Sequence, residues 1–184
     1  MTNLEFKARL RNPATIYRVL AKRDIPLAAT LRQTDIYFRV ENGRLKLREI
    51  EGEKSQLIFY TRPDAAEVKR SDYLIAPVSS AAALHEVLDA ACGIRAVVKK
   101  IRELYLLPRQ LSRSTGAQAN APSRLHLDTV EGSGKFLEIE VILREGESPE
   151  QAEQEARAWL QEFGIEVDDL MAGSYADLLE SRLA

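Results

Sequence analysis

Gly43-Arg44-Leu45-Lys46-Leu47-Arg48-Glu49-Ile50 alternates apolar and charged residues at a period of two. A β-strand sends successive side chains to opposite faces, so Leu45 and Leu47 fall on one side and Lys46 and Arg48 on the other. Asn42-Gly43, at its start, is the strongest short hairpin signal a sequence offers, and it joins this strand to a second segment, Gln33 to Val40. The same period recurs in Asn3 to Leu10, Leu57 to Arg62, Lys69 to Ile75, Val97 to Tyr105, Arg124 to Val130 and Phe136 to Leu143. One set of faces is apolar: Leu4, Phe6, Ala8 and Leu10; Leu57 and Phe59; Leu137, Ile139 and Val141. The opposite set is dense in charge: Glu5, Lys7 and Arg9; Tyr60 and Arg62; Lys100 and Arg102; Arg124, His126 and Asp128; Glu138 and Glu140.

Short helical segments lie between and after these strands. From Pro13, residues Ile16, Val19 and Leu20 share a face; from Ser80, so do Leu84, Val87, Leu88 and Ala91, with Gly93 as a stop. Ser148-Pro149-Glu150-Gln151 predicts a capped start, with serine at the N-cap, proline at the first helical position and Gln151 reaching back. That helix presents Ala152, Ala156, Trp159, Leu160 and Phe163 before Gly164. A last helix begins at Ser174, with Asp177 in the reciprocal capping position. Gly132 and Gly134 read as a turn between strands. Pro108 to Ser123 has no periodicity and reads as a mobile loop rather than a domain linker, leaving 1–184 as a single domain.

Composition narrows the classes. At 184 residues with 45% hydrophobic and 29% charged, the chain can bury a sizeable core and is neither collagen-like nor wholly disordered. A net charge of −2 gives nonspecific nucleic-acid binding no support. The lone Cys92 offers no intramolecular disulfide or zinc cluster and reads as a small apolar helix residue. With no signal-peptide run and no stretch near the ~18 apolar residues of a membrane span, the expectation is a soluble cytoplasmic protein.

Two architectures account for the charged faces. They form the wet side of an antiparallel sheet packed on helices, which is the usual explanation of alternation. Alternatively, the sheet closes with its apolar face outward against helices and its charges inside. Two features favour closure: the pattern recurs in nearly every strand, and the faces sort, with paired basic residues in the middle strands and carboxylates near both ends. Such a lining suits phosphoryl or nucleotidyl transfer. Arginine forks and lysine point charges hold phosphate oxygens, while Glu138 and Glu140, two apart on one strand, can hold a hard cation such as Mg²⁺ or Mn²⁺. No phosphate-binding glycine loop of the G-x-x-x-x-G-K-[ST] type and no dinucleotide fingerprint is present.

Glu5-Phe6-Lys7 resembles the last three positions of the E-x-E-x-K signature of the CYTH superfamily, the triphosphate tunnel metalloenzymes. Gln33-Thr34-Asp35-Ile36-Tyr37-Phe38, Gly43 to Glu49, Arg62-Pro63-Asp64, Ser71-Asp72-Tyr73, Lys100 to Tyr105, Arg124 to Asp128, Phe136 to Glu140 and Gly173 to Leu179 resemble its class IV adenylyl cyclase branch, in order and over nearly the whole chain. The resemblance implies an α+β fold: a closed eight-stranded antiparallel β-barrel (tunnel) with charged interior and helices outside. It further implies Glu5, Glu138 and Glu140 as metal carboxylates, with Asp128 as a further acidic partner. Lys7, Lys46, Arg48, Arg62, Lys100, Arg102 and Arg124 resemble the phosphate-holding set; Glu5, Lys7, Glu138 and Glu140 form the catalytic group. His126 stays a hydrogen-bonding wall residue, and Tyr37, Tyr60 and Tyr73 are candidates to touch a base as well as packing residues. Asn3 departs from the signature by replacing its first glutamate with an uncharged amide. The expected activity is conversion of ATP to cyclic AMP and pyrophosphate with Mg²⁺ or Mn²⁺. Hydrolysis of inorganic or thiamine triphosphate is the alternative, and noncatalytic polyphosphate binding a third. A homodimer is compatible with the sequence.

Overall fold

At the Asn42-Gly43 hairpin the chain turns back on itself because Gly43 takes φ +66°. A Cβ there would stand 2.8 Å from the Tyr60 carbonyl and 2.8 Å from the Phe59 ring. Only glycine fits both the dihedral and the gap. This is the tightest link in a computed structural model that describes residues 2–109, 122–143 and 147–183, the side chains of 181–183 excepted.

The strands are β1 (Thr2–Arg9), β2 (Leu27–Phe38), β3 (Arg44–Ile50), β4 (Gln56–Thr61), β5 (Lys69–Pro77), β6 (Ile94–Leu107), β7 (Ser123–Val130) and β8 (Gly134–Ile142). They pair antiparallel in the order β1-β5-β4-β3-β2-β6-β7-β8, and β8 closes on β1. Closure removes both sheet edges. It also decides between the two architectures: in β1 the apolar Phe6 and the charged Glu5 and Lys7 are all buried, and β3 buries Lys46 beside Leu47. A sheet with one wet face would expose one of the two sets.

Helices cover the outward apolar face. α1 (Pro13–Lys22) and α3 (Pro149–Glu162) place Ile16, Leu20, Ala156 and Trp159 against Leu4, Phe6, Leu137, Ile139 and Val141. The capping box forms as the sequence predicts: the Gln151 amide donates to Ser148 Oγ, and the Ser148 amide donates to the Gln151 side chain. Such a cap stabilises a helix by about 1 kcal/mol. α2 (Ala81–Cys92) seats Ala81, Leu84, Leu88 and Cys92 over Ile36, Phe38 and Leu47. The helix is rotated from its expected face, so Val87 is exposed. α4 (Tyr175–Leu183) lies across one end of the barrel; Ser174 and Asp177 cap it, each amide donating to the other's side chain.

β2 and β6 start or run several residues beyond the alternating segments, pairing as a long two-stranded arm with register shifts at Leu27/Ala29 and Tyr37/Phe38. The loop expected over 108–123 lies outside the described residues, apart from its ends. No described helix is long and apolar enough to cross a membrane.

Candidate functional site

Strand register turns the charged sequence into rows across the inner wall. On the β7-β8-β1 side, Arg124, Glu140 and Glu5 stand opposite one another in one row; His126, Glu138 and Lys7 make the next; Asp128, Phe136 and Arg9 the third. On the other side, β3 sets Arg48 opposite Asp35 and Lys46 opposite Tyr37, and β6 brings Lys100 beside Gln33. Glu5 and Lys7 of β1 and Lys46 and Arg48 of β3 therefore face one cavity, whereas Arg9 is exposed and Arg44 turns away to pair with Asp64 and Asp177.

That cavity holds about 760 Å³ of atom-free space, counting its open mouth. Glu5, Lys7, Lys46, Arg48, Arg62, Lys100, Arg102, Arg124, Glu138 and Glu140 all line it, as do Asn3 and the three tyrosines Tyr37, Tyr60 and Tyr73. Ile58 and Ile75 add an apolar strip. One end is floored by residues 170–175. The Met171 amide donates to the Lys7 carbonyl at 2.8 Å, Lys69 Nζ donates to the carbonyls of Met171 and Ala172 at 2.6 Å each, and Arg62 donates to the Gly173 carbonyl at 3.1 Å. Tyr175 rises from this floor. Its hydroxyl donates to Asp128 at 2.8 Å, and Lys7 Nζ sits 4.0 Å from its ring centroid.

Asp128 stands in the wall behind the cations. Arg102 donates to both of its oxygens at 2.7 Å, and Lys100 and Tyr175 occupy what remains. Asp35, which the sequence reading quoted but did not single out, does the same on the facing wall, fully buried. It accepts from Gln33 at 2.8 Å, Arg48 at 3.2 Å and Lys46 at 3.3 Å, with Lys100 at 3.7 Å. Its signal was parity: Asp35 falls on the same face as Tyr37. Tyr175 carried no such signal, because the docking of residues 170–174 aims it.

These neighbours set the ionisation. Burial pushes the Asp35 carboxyl up, and Lys46, Arg48, Lys100 and Arg102 more than reverse it, holding it well below the usual range. Asp128 is held low in the same way, burial being outweighed by Arg102 and Lys100. Glu138 is also low, burial being overcome by Lys7, Arg102 and others. Glu140 goes the other way: burial, then the charges of Glu138 and Glu5, raise it. Burial and the nearby Arg48 pull the Lys46 ammonium down to about 7, and burial with Arg62 and Lys7 pulls Lys69 down to about 8. Burial and Arg102 keep His126 neutral.

Among the described residues, three buried polar atoms here lack a hydrogen-bond partner: Asn3 Oδ1, Arg62 Nε and His126 Nδ1. With the carboxylates Glu138 and Glu140 beside His126, one ligand atom from each lying within 4.8 Å of the others, the donor set fits a divalent cation.

A family profile, the CYTH domain, matches residues 1–175. No curated protein gives a match. Among solved structures, the PH1012 protein of Pyrococcus horikoshii superposes with a TM-score of 0.77 at 23% identity, covering 96% of this chain and 98% of its own. A Vibrio parahaemolyticus protein named provisionally as an adenylate cyclase gives 0.70 at 17% identity, covering 98% of each. HpAC1 of Hippeastrum, named for adenylyl cyclase and described as revealing a dominant triphosphatase activity, gives 0.58 at 18%, covering 94% of this chain and 91% of its own. At these identities the likeness is one of fold.

Proposed function

Because the chain belongs to the CYTH domain family, the metal-dependent triphosphate tunnel enzymes, we propose that it is an adenylyl cyclase-like lyase converting ATP to cyclic AMP and pyrophosphate. The observation that carries this reading is the convergence of Lys46, Arg48, Arg62, Lys100 and Arg102 on one cavity opposite Glu138 and Glu140. Cations this crowded repel one another, and a polyanion relieves that repulsion.

In this reading Lys7, Lys46, Arg48, Arg62, Lys100, Arg102 and Arg124 hold phosphate oxygens. Glu138 and Glu140, with Glu5, hold the divalent ion, which would withdraw charge from the phosphates and ease deprotonation of the attacking hydroxyl. Asp128 we assign to aiming Arg102, since its oxygens are already taken. The ribose 3′ oxygen attacks the α-phosphorus, its proton is lost, and the bond to pyrophosphate breaks. The chain's own contribution is positioning and fixed charge. Arg102, donating to Asp128 and to Glu138 at 2.8 Å, is preorganised before any ligand arrives. Tyr73, Ile58 and Ile75 offer an apolar surface for a base, which a bare triphosphate would leave unused. Hydrolysis of a triphosphate is the second reading. It is favoured by Arg124, whose side chain is 46% exposed beside Glu140, so that water reaches that row.

Incubation with ATP, inorganic triphosphate and thiamine triphosphate under Mg²⁺ or Mn²⁺, with product identification, tests both. Cyclic AMP and pyrophosphate are expected. Orthophosphate with the matching diphosphate and no cyclic AMP would select hydrolysis, and binding without turnover would overturn both.

A further inference from the structure

We infer that His126 is a nitrogen ligand of the divalent ion, forming a mixed site with Glu138 and Glu140 that favours Mn²⁺ over Mg²⁺. The inference rests on the metal-dependent reading above and adds a ligand and a metal preference to it. His126 stands directly opposite Glu138 across β7 and β8, and Glu140 is the next inward residue on β8. Its Nδ1 lies 3.8 Å from Glu140 Oε1 and 4.0 Å from Glu138 Oε2. Those distances are too long for hydrogen bonds. They do match two ligands on one ion, since bonds of about 2.1 Å let opposite ligands stand up to about 4.2 Å apart. One ligand atom from each of the three residues lies within 4.8 Å of the others.

Burial makes the orphaned nitrogen informative. His126 is 5% exposed, so bulk water does not satisfy Nδ1, and no described group does. A buried unsatisfied polar atom is costly and rare, and one aimed between two carboxylates is explained by a cation bound there. The metal preference follows from the donor. Imidazole suits manganese and later transition ions, whereas Mg²⁺ prefers oxygen and retains its water.

Chelator-stripped full-length protein loaded with Mn²⁺ and read by pulsed electron paramagnetic resonance tests this. The expected result is a directly bound nitrogen whose coupling changes when the protein is labelled with ¹⁵N-histidine. The chain has two histidines, and the other, His85, lies on α2 beside the Phe38 ring. His126→Ala should abolish the coupling and weaken Mn²⁺ binding by about tenfold or more, with a smaller change for Mg²⁺. Mn²⁺ bound without nitrogen coupling, as a water bridging Nδ1 to the carboxylates would give, overturns the inference and leaves the metal-dependent reading standing. Failure of the wild-type protein to bind either ion at millimolar concentration overturns that reading as well. Should His126→Ala not fold, the labelled wild-type spectrum decides alone.

Discussion

Asp35 and Glu140 are carboxylates inside the same barrel, and their ionisation is displaced in opposite directions. Burial pushes both up. Asp35 is met by cations from β3 and β6 and ends far below its ordinary range, whereas Glu140 is flanked by Glu138 and Glu5 and ends above it. Side-chain parity decides only that a residue points inward. The row it joins decides whether its charge props up the wall or waits for a partner from solution.

The largest expected effect comes from breaking the prop. Asp35→Asn removes the anion from a buried cluster, leaving Lys46 and Arg48 without the carboxylate they pair with, and should cost about 3–5 kcal/mol of stability. Calorimetry would read a lowered Tm, partly restored by triphosphate; an unchanged Tm would mean that Asp35 does not buttress the wall. Glu140→Gln should have the opposite effect on stability. A carboxyl raised on folding is a burden once ionised, so its removal should raise Tm at neutral pH and leave it unaltered in acid. Turnover should nevertheless fall on the order of a hundredfold, as when other preorganised charges are lost. A fully active Glu138→Gln, Glu140→Gln double variant would sink the assignment of the metal to this row.

Filling the cavity should blunt the contrast. Triphosphate at ~100 times its Kd adds about 2.7 kcal/mol by mass action, and its affinity should weaken with salt as the cations are screened. The smallest effect is a proton. Lys46 sits near 7 in the folded chain against an ordinary 10.5. Between those values the unfolded chain holds a proton that the folded one lacks, so this residue's contribution makes stability rise with pH across that window. A bound phosphate favours the ammonium again. Titration calorimetry at pH 8 in buffers of different ionisation enthalpy should register uptake of a fraction of a proton, and a smaller uptake in Lys46→Met, where Lys69, near 8, still titrates.

Most of the barrel was legible because alternation is strong wherever one face is packed by helices. It faded in β2, where Leu27 to Arg32 forms part of an arm largely exposed on both faces, so no buried stripe marks the period. Val87 was misplaced on α2 because that helix seats through the half-buried Leu84 and Leu88, and a shallow seat tolerates rotation. In the site, inward parity on β1, β3, β6, β7 and β8 brought nine charged candidates to one cavity, and Arg62, just past the end of β4, joins them. Parity could not separate Asp128, enclosed behind Arg102, from Glu140, which lines the space. That difference lies in partners from other strands and from residues 170–175, which local pattern does not encode.

The floor made by residues 170–175 also governs traffic. A floor that closes one end leaves substrate and both products a shared doorway at the other. On the proposed cyclase reading, a nucleotide entering phosphates-first leaves its cyclised nucleoside nearest the exit and its pyrophosphate innermost, among the lining cations. Release then has a fixed sequence, cyclic nucleotide before pyrophosphate. In steady-state inhibition, pyrophosphate should compete with ATP, while cyclic AMP should inhibit noncompetitively.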